Sequence, residues 1–170
     1  MKAKFLRTLC SLVLVYLAVT LVLAACQRTF IYYPRNASTA VLLQQARASD
    51  LVPWQNGRGE IIGWKREYTS AKPANRLLVF HGNAGYALHR DHFVNGFGAL
   101  EAGATWDVRI FEYPGYGARP GKPNEKSILA AAREALTQLL SEDSRTIYVL
   151  GESLGSGPGC ALASAEPAKI

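Results

Sequence analysis

Apolar residues form two patterns along the chain. Short unbroken runs are typical of buried strands, and apolar positions repeated at the helical period are typical of amphipathic helices. Strands are predicted at residues 76–80, 107–111 and 146–150, and the unbroken apolar run 77–80 suits a strand buried on both faces of a parallel sheet. Helices are predicted at residues 39–48, 88–102, 127–140 and 154–165. The alternation of strand and helix predicts an α/β fold with right-handed crossovers.

The helix at 127–140 has the clearest pattern, because its apolar positions form one continuous stripe at the helical period. In the helix at 88–102 the apolar positions also share one face, and Gly103 is expected to cap its C-terminus. Residues 51–55 and 60–68 flank an Asn-Gly-Arg-Gly turn, which predicts a β-hairpin.

Composition and charge narrow the class of protein. The chain has 170 residues, 49% of them apolar, which excludes disorder, collagen and coiled coil and allows one ordinary domain. Three of the six net positive charges lie within the first seven residues. No basic cluster is interleaved with aromatic residues, so nucleic-acid binding is not expected.

The N-terminus has the pattern of a targeting or anchoring segment. Basic residues precede an apolar run at residues 9–25, and this run ends in Leu-Ala-Ala-Cys, which resembles a bacterial lipobox with Cys26 as the lipidated residue. The alternative is an uncleaved membrane anchor. Either way we expect residues 1–26 to form this segment and residues 27–170 to form a domain on the extracytoplasmic side of the membrane.

Two further features, residues 29–33 and Cys160, support less definite predictions. Residues 29–33 are aromatic and β-branched and stop at Pro34, so they fit either a short strand or a membrane-proximal stretch. Cys160 is the single cysteine in the body of the domain, where no internal disulfide is therefore possible. We expect it to be a small core residue on a helix.

The motif Gly-Glu-Ser-Leu-Gly at residues 151–155 carries the first candidate chemistry. It follows a predicted buried strand and opens a predicted helix, and a serine in such a tight turn has its hydroxyl pushed clear of the backbone. Glycines must flank the turn because side chains would clash there. Ser153 is therefore a candidate nucleophile, and the helix N-terminus beside it favours developing negative charge.

A second motif, His-Gly-Asn-Ala-Gly at residues 81–85, directly follows the strand at 76–80. In acyl transfer the tetrahedral oxyanion needs backbone N–H donors, and a glycine-rich turn after a strand can supply one. The expected donors are the N–H groups of Asn83 and Leu154. His81 invites assignment as the catalytic base, but we interpret it as a loop-shaping residue.

A third motif, Glu-Tyr-Pro-Gly-Tyr-Gly at residues 112–117, places an aromatic turned loop at the carboxyl edge of the sheet, where ligands gather in open α/β folds. No catalytic role is assigned to it. The three motifs in this order resemble the α/β-hydrolase superfamily, and more closely its membrane-anchored members with His-Gly-Asn-Ala-Gly. The resemblance covers residues 27–170 and includes His89 and Arg90.

The resemblance implies a mostly parallel sheet with flanking helices. It also implies hydrolysis of an ester, thioester or amide through an acyl-enzyme on Ser153, with Asn83 and Leu154 as oxyanion donors. No metal or organic cofactor is implied. The expected partners are an acyl-type small molecule, or a lipid or peptide substrate, and the membrane.

The superfamily triad runs Ser, acid, His in chain order, and this sequence departs from that order. After Ser153 there is no histidine and no aspartate, and Glu166 is the only later acid. We therefore expect the N-terminal part of a hydrolase, inactive by itself, whose later strands, Asp and His are missing. Two alternatives stay open: a non-catalytic lipoprotein that uses the scaffold as a binding surface, and an enzyme that borrows His81 or a second chain.

Overall fold

The computed structural model describes residues 2–68, 73–99 and 106–170, and its contacts form two compact units, Met1–Tyr32 and Tyr33–Ile170. The first unit is the helix α1 (Lys2–Ile31), whose 30 residues correspond to a length of about 45 Å. Its length and apolar composition are sufficient to cross a membrane, and all its side chains are exposed. It is compatible with a signal anchor or a membrane anchor. Residues 29–31 belong to this helix, so they do not form the strand considered above.

The second unit alternates strands and helices. Its elements are α2 (Thr39–Ala48), β1 (Val52–Gln55), β2 (Ile61–Lys65), β3 (Asn75–Phe80), α3 (His92–Ala99), β4 (Trp106–Phe111), α4 (Glu125–Glu142), β5 (Ile147–Gly151) and α5 (Ser156–Ala165), with 3₁₀ turns at Ala87–Arg90 and Ser153–Gly155. The predicted α/β alternation is confirmed.

These strands form one five-stranded sheet in the order β1-β2-β4-β3-β5. β3 pairs in parallel with both β4 and β5, whereas β2 is antiparallel to β1 and to β4. The predicted hairpin is present, and its turn is closed because the Asn56 side-chain oxygen accepts the N–H groups of Arg58 and Glu60 at 3.0 Å each. The sheet is mostly parallel, as predicted, because β1, β3, β4 and β5 run in the same direction. It is mixed only through β2, which is antiparallel to both of its neighbours.

The core lies around β3 and β4, where five of six residues in each strand are buried. This explains the unbroken apolar run in β3, since burial of each large apolar side chain stabilises the fold by about 1.5–3 kcal/mol. Helix α4 buries six residues, of which five belong to the predicted stripe and the sixth is Ala131. It begins with a capping box in which Asn124 and Ser127 satisfy each other's backbone N–H.

Two expectations about the remaining segments differ from the structure. The helix predicted at 88–102 is divided into the 3₁₀ turn and α3, because the Asp91 N–H bonds back three residues to the Leu88 carbonyl. The Gly103 cap lies outside the described residues. Cys160 is exposed instead of buried, because it lies on the face of α5 that lines an open groove along β5.

Candidate active site

Ser153 lies in the sharp turn between β5 and α5 and is exposed. Its φ angle is +50°, in the left-handed region that non-glycine residues seldom adopt. The turn is fixed on both sides, because the Glu152 N–H donates to the Phe80 carbonyl (2.9 Å) and the Gly155 N–H to the Glu152 carbonyl (2.8 Å). Strain of this kind persists only where the surroundings impose it, and it is common at functional sites.

The two glycines of the motif are required by contact distances. A Cβ at Gly151 would lie 2.7 Å from the Gly155 carbonyl oxygen. A Cβ at Gly155 would lie 2.1 Å from the Phe80 carbonyl oxygen, far inside van der Waals contact. The strand β3, the turn and the start of α5 therefore approach so closely that only glycine fits at both positions.

The structure brings the two predicted oxyanion loops to the same edge of the sheet. Phe80, the last residue of β3, is paired with Gly151, the last residue of β5, so the loops that follow are neighbours. Leu154 lies in the first turn of the short 3₁₀ segment, where backbone N–H groups lack acceptors within the helix. Asn83 lies in the loop after β3.

An ion pair that the sequence analysis did not identify links the two loops. Arg90 Nε and Nη2 donate to the two carboxylate oxygens of Glu152, at 2.7 and 2.8 Å. The Gly82 N–H also bonds to this carboxylate, and these donors, Arg90 first, hold the pKa of Glu152 below its ordinary value. A Cβ at Gly82 would lie 2.8 Å from a Glu152 oxygen, so a larger residue there would displace this carboxylate.

His81 is completely buried, and both of its ring nitrogens are engaged. Nδ1 lies 2.7 Å from the Gly82 carbonyl oxygen, and Nε2 lies 3.3 Å from Oε1 of the buried Glu112. Its ring stacks against Tyr113 with the centroids 4.3 Å apart. The histidine shapes the loop in this geometry and has no ring nitrogen directed at Ser153.

The other two histidines also have partners elsewhere. The His89 ring lies 3.8 Å from the Tyr86 ring, and burial followed by nearby Arg90 lowers its pKa. The His92 ring lies 4.5 Å from the Phe93 ring. Within the described parts of the chain, none of the three histidines is hydrogen-bonded to Ser153, and no group of His, Cys, Asp and Glu is arranged to hold a metal ion.

The third motif supports the loop after β3 with buried tyrosines. The Tyr113 hydroxyl donates to the His81 carbonyl at 2.6 Å, and the Tyr116 hydroxyl donates to Oδ1 of Asn83 at 2.9 Å. Burial raises the pKa of Tyr113, which keeps this hydroxyl a donor. The aromatic residues at 113 and 116 were visible in the sequence, but nothing in their spacing indicated which loop they would hold.

The predicted lipidation residue, Cys26, lies within α1 and is exposed. The helix continues through it to Ile31 without interruption.

Comparison with known proteins gives relatives in sequence and in structure, although no protein-family model matches. The uncharacterized protein Rv2307c of Mycobacterium tuberculosis is 32% identical over 146 residues, which are 83% of this chain and 50% of that protein. Alpha/beta hydrolase domain-containing protein 17C of Xenopus laevis is 31% identical over 122 residues, 69% of this chain and 38% of that protein. The chain thus spans half or less of the length of these curated relatives.

Among solved structures, an alpha-beta hydrolase from Vibrio vulnificus superimposes with a TM-score of 0.50 and 17% identity, covering 81% of this chain and 58% of the hydrolase. This likeness agrees with the mixed five-stranded sheet and its flanking helices. The chain has the fold of part of an α/β hydrolase, and the names of its relatives together with this neighbour support the α/β-hydrolase family for it.

Proposed function

We propose that this chain provides the nucleophile and the oxyanion donors of a serine hydrolase that cleaves ester, thioester or amide bonds. The observation that carries the proposal is the left-handed Ser153 at a strand–turn–helix junction, held there by Phe80 and by two obligatory glycines. Backbone strain of this kind concentrates at functional sites, where the surrounding structure imposes it.

In the proposed reaction, Ser153 Oγ attacks the acyl carbonyl carbon while a histidine removes its proton. The carbonyl π electrons move onto oxygen, and the N–H groups of Asn83 and Leu154 stabilise the resulting oxyanion. Collapse of this intermediate breaks the bond to the leaving group, which takes the proton from the histidine. Water then hydrolyses the acyl-enzyme by the same steps and releases the acid.

The general base and its acidic partner are proposed to come from sequence beyond residue 170. Two observations support this. His81 is engaged at both ring nitrogens, and no histidine in the described residues is bonded to Ser153. The matched region is half or less of each curated relative cited above. We therefore propose that the 170-residue chain alone is not competent.

The N-terminal helix is proposed to attach the hydrolase to a membrane, with the domain on the extracytoplasmic side. The basic residues before its apolar run support that orientation. Processing before Cys26 would leave an acylated mature N-terminus. Mass spectrometry of the mature protein separates the two anchors: added acyl mass on Cys26 indicates the lipid anchor, and an intact N-terminus without added mass indicates the helical anchor.

The test of the enzymatic proposal is labelling by a fluorophosphonate probe. The samples are the 170-residue chain, products of the same gene that extend past residue 170, and two variants of each. Ser153→Ala removes the proposed nucleophile. Ser156→Ala is the matched control, since Ser156 is also exposed and lies three residues further along, at the start of α5.

We expect labelling of a folded, extended product, complete loss in Ser153→Ala and retention in Ser156→Ala. An extended product that folds but is not labelled contradicts the proposal and favours the binding-scaffold alternative. Labelling of the 170-residue chain itself at Ser153 would instead show that its base lies within this sequence.

A further inference from the structure

Residues 33–37, here called the brace, run in an extended conformation between the two loops that surround the candidate site. The Arg35 N–H donates to the Gly85 carbonyl at 3.2 Å, in the loop after β3. The Gly117 N–H donates to the Arg35 carbonyl at 2.9 Å, and the Ala37 N–H to the Gly117 carbonyl at 3.1 Å, in the loop after β4. The brace thus hydrogen-bonds to both loops through its backbone.

Asn83 joins the same three segments through a single side-chain oxygen. Its Oδ1 accepts the Tyr33 N–H at 3.0 Å, from the brace. It accepts the Tyr116 hydroxyl at 2.9 Å, from the loop after β4. It also accepts the Ala84 N–H of its own loop at 3.0 Å. All three partners are donors, so an acceptor oxygen is required at this point.

The loop needs such support because its backbone is unfavourable by itself. Ala84 has φ of +59° and Gly85 has φ of +108°, two consecutive residues in the left-handed region. Alanine rarely adopts this conformation without external contacts. Both residues are held by hydrogen bonds, since the Ala84 N–H donates to Asn83 Oδ1 and the Gly85 carbonyl accepts the Arg35 N–H.

We propose that Asn83 is a positioning residue. By accepting hydrogen bonds from the brace and from Tyr116, its side chain holds the loop after β3 in its active conformation. The inference rests on the proposed function for its catalytic meaning, since the loop amide of the same residue is the proposed oxyanion donor. The brace, which follows α1 in the chain, is therefore part of the site as well as the connection to α1.

The structural arm of the test measures backbone amide exchange by mass spectrometry on the full 170-residue chain. Asn83→Ala removes the acceptor, whereas Asn83→Asp keeps an oxygen for all three donors. Asn95→Ala is the control, because Asn95 also accepts a side-chain bond, from Arg66, but lies on α3. Exchange in residues 33–37 and 82–87 should accelerate about tenfold or more in Asn83→Ala. It should stay close to wild type in Asn83→Asp and Asn95→Ala.

The catalytic arm uses whichever preparation labels at Ser153. There Asn83→Ala should lower the labelling rate constant about tenfold or more, and Asn83→Asp should restore most of it. The positioning role is overturned if amide exchange in Asn83→Ala is unchanged, or if Asn83→Asp accelerates exchange as much as Asn83→Ala does. Either result counts whatever the reactivity of Ser153. Changed exchange with an unchanged labelling rate in Asn83→Ala overturns its link to catalysis. If Ser153 is never labelled in a folded extended product, the proposed function fails, and the exchange data decide separately whether the brace holds the loop.

Discussion

Arg90 binds both carboxylate oxygens of Glu152, the residue immediately before Ser153. Arg90 belongs to the 3₁₀ turn that follows the loop after β3, so the pair connects the two halves of the candidate site. Glu152 also accepts a bond from the Gly82 N–H. Glu152 thus fixes the distance between the loop after β3 and the turn that holds Ser153.

This pair predicts a pH dependence of stability. The pKa of Glu152 is lowered in the folded chain, so its contribution is complete above the ordinary glutamate pKa of about 4.3 and is lost as the pH falls through the lower, folded value. The Glu152 side chain is 41% exposed, so the contribution should be no more than about 1 kcal/mol. Chemical denaturation between about pH 5 and pH 3 should show a smaller loss of stability for Glu152→Gln than for wild type. The exposed Glu67→Gln variant should follow wild type, and identical pH profiles for all three would contradict the assignment.

Gly155→Ala is expected to destabilise the domain severely, by about 3 kcal/mol or more, because its Cβ would overlap the Phe80 carbonyl. That carbonyl also accepts the Glu152 N–H, so the turn before Ser153 would be displaced as well. Gly157→Ala is the matched control two residues further along, in α5, with nothing within 4 Å of its Cβ, and should gain about 0.5–1 kcal/mol. Thermal unfolding of the two variants measures the difference. Equal melting temperatures would mean that β3 and α5 are not in this close contact.

Ser153→Gly should stabilise the chain by about 1 kcal/mol, since glycine adopts the left-handed conformation without the Cβ penalty. Ser156→Gly should have the opposite effect, because Ser156 has helical φ of −62° at the start of α5. Urea denaturation of both variants tests the sign. A destabilised Ser153→Gly would show that the turn is not strained, and this would remove the main support for the nucleophile.

Glu112→Ala is expected to cost about 2–4 kcal/mol, because Glu112 is buried and its two oxygens accept the Ala87 N–H at 3.1 Å each. The variant leaves that N–H without its buried acceptor and removes the carboxylate that lies 3.3 Å from Nε2 of His81. Glu125→Ala, at an exposed position in the first turn of α4, should cost less than about 1 kcal/mol. Differential scanning calorimetry compares them, and equal melting temperatures would show that the Glu112 carboxylate does not hold the loop.

Local patterns in the sequence predicted the elements that depend on nearby residues. The run at 77–80 and the stripe on α4 gave strand and helix directly, and the strand–glycine–serine pattern predicted the turn at Ser153. The pairing of Arg90 with Glu152 and the three bonds to Asn83 join residues up to 62 positions apart. Such contacts depend on strand order, which periodicity does not encode. The exposure of Cys160 has the same origin, since it depends on what lies beside β5.

The left-handed conformation of Ser153 also has an evolutionary consequence. In a lineage where the site performs no reaction, any drift from serine to glycine at position 153 gains stability, and no selection opposes it. In a lineage where the hydroxyl is used, the less stable residue has to be kept. The residues found at this position among near relatives therefore record whether catalysis has been under selection, independently of any knowledge of the substrate.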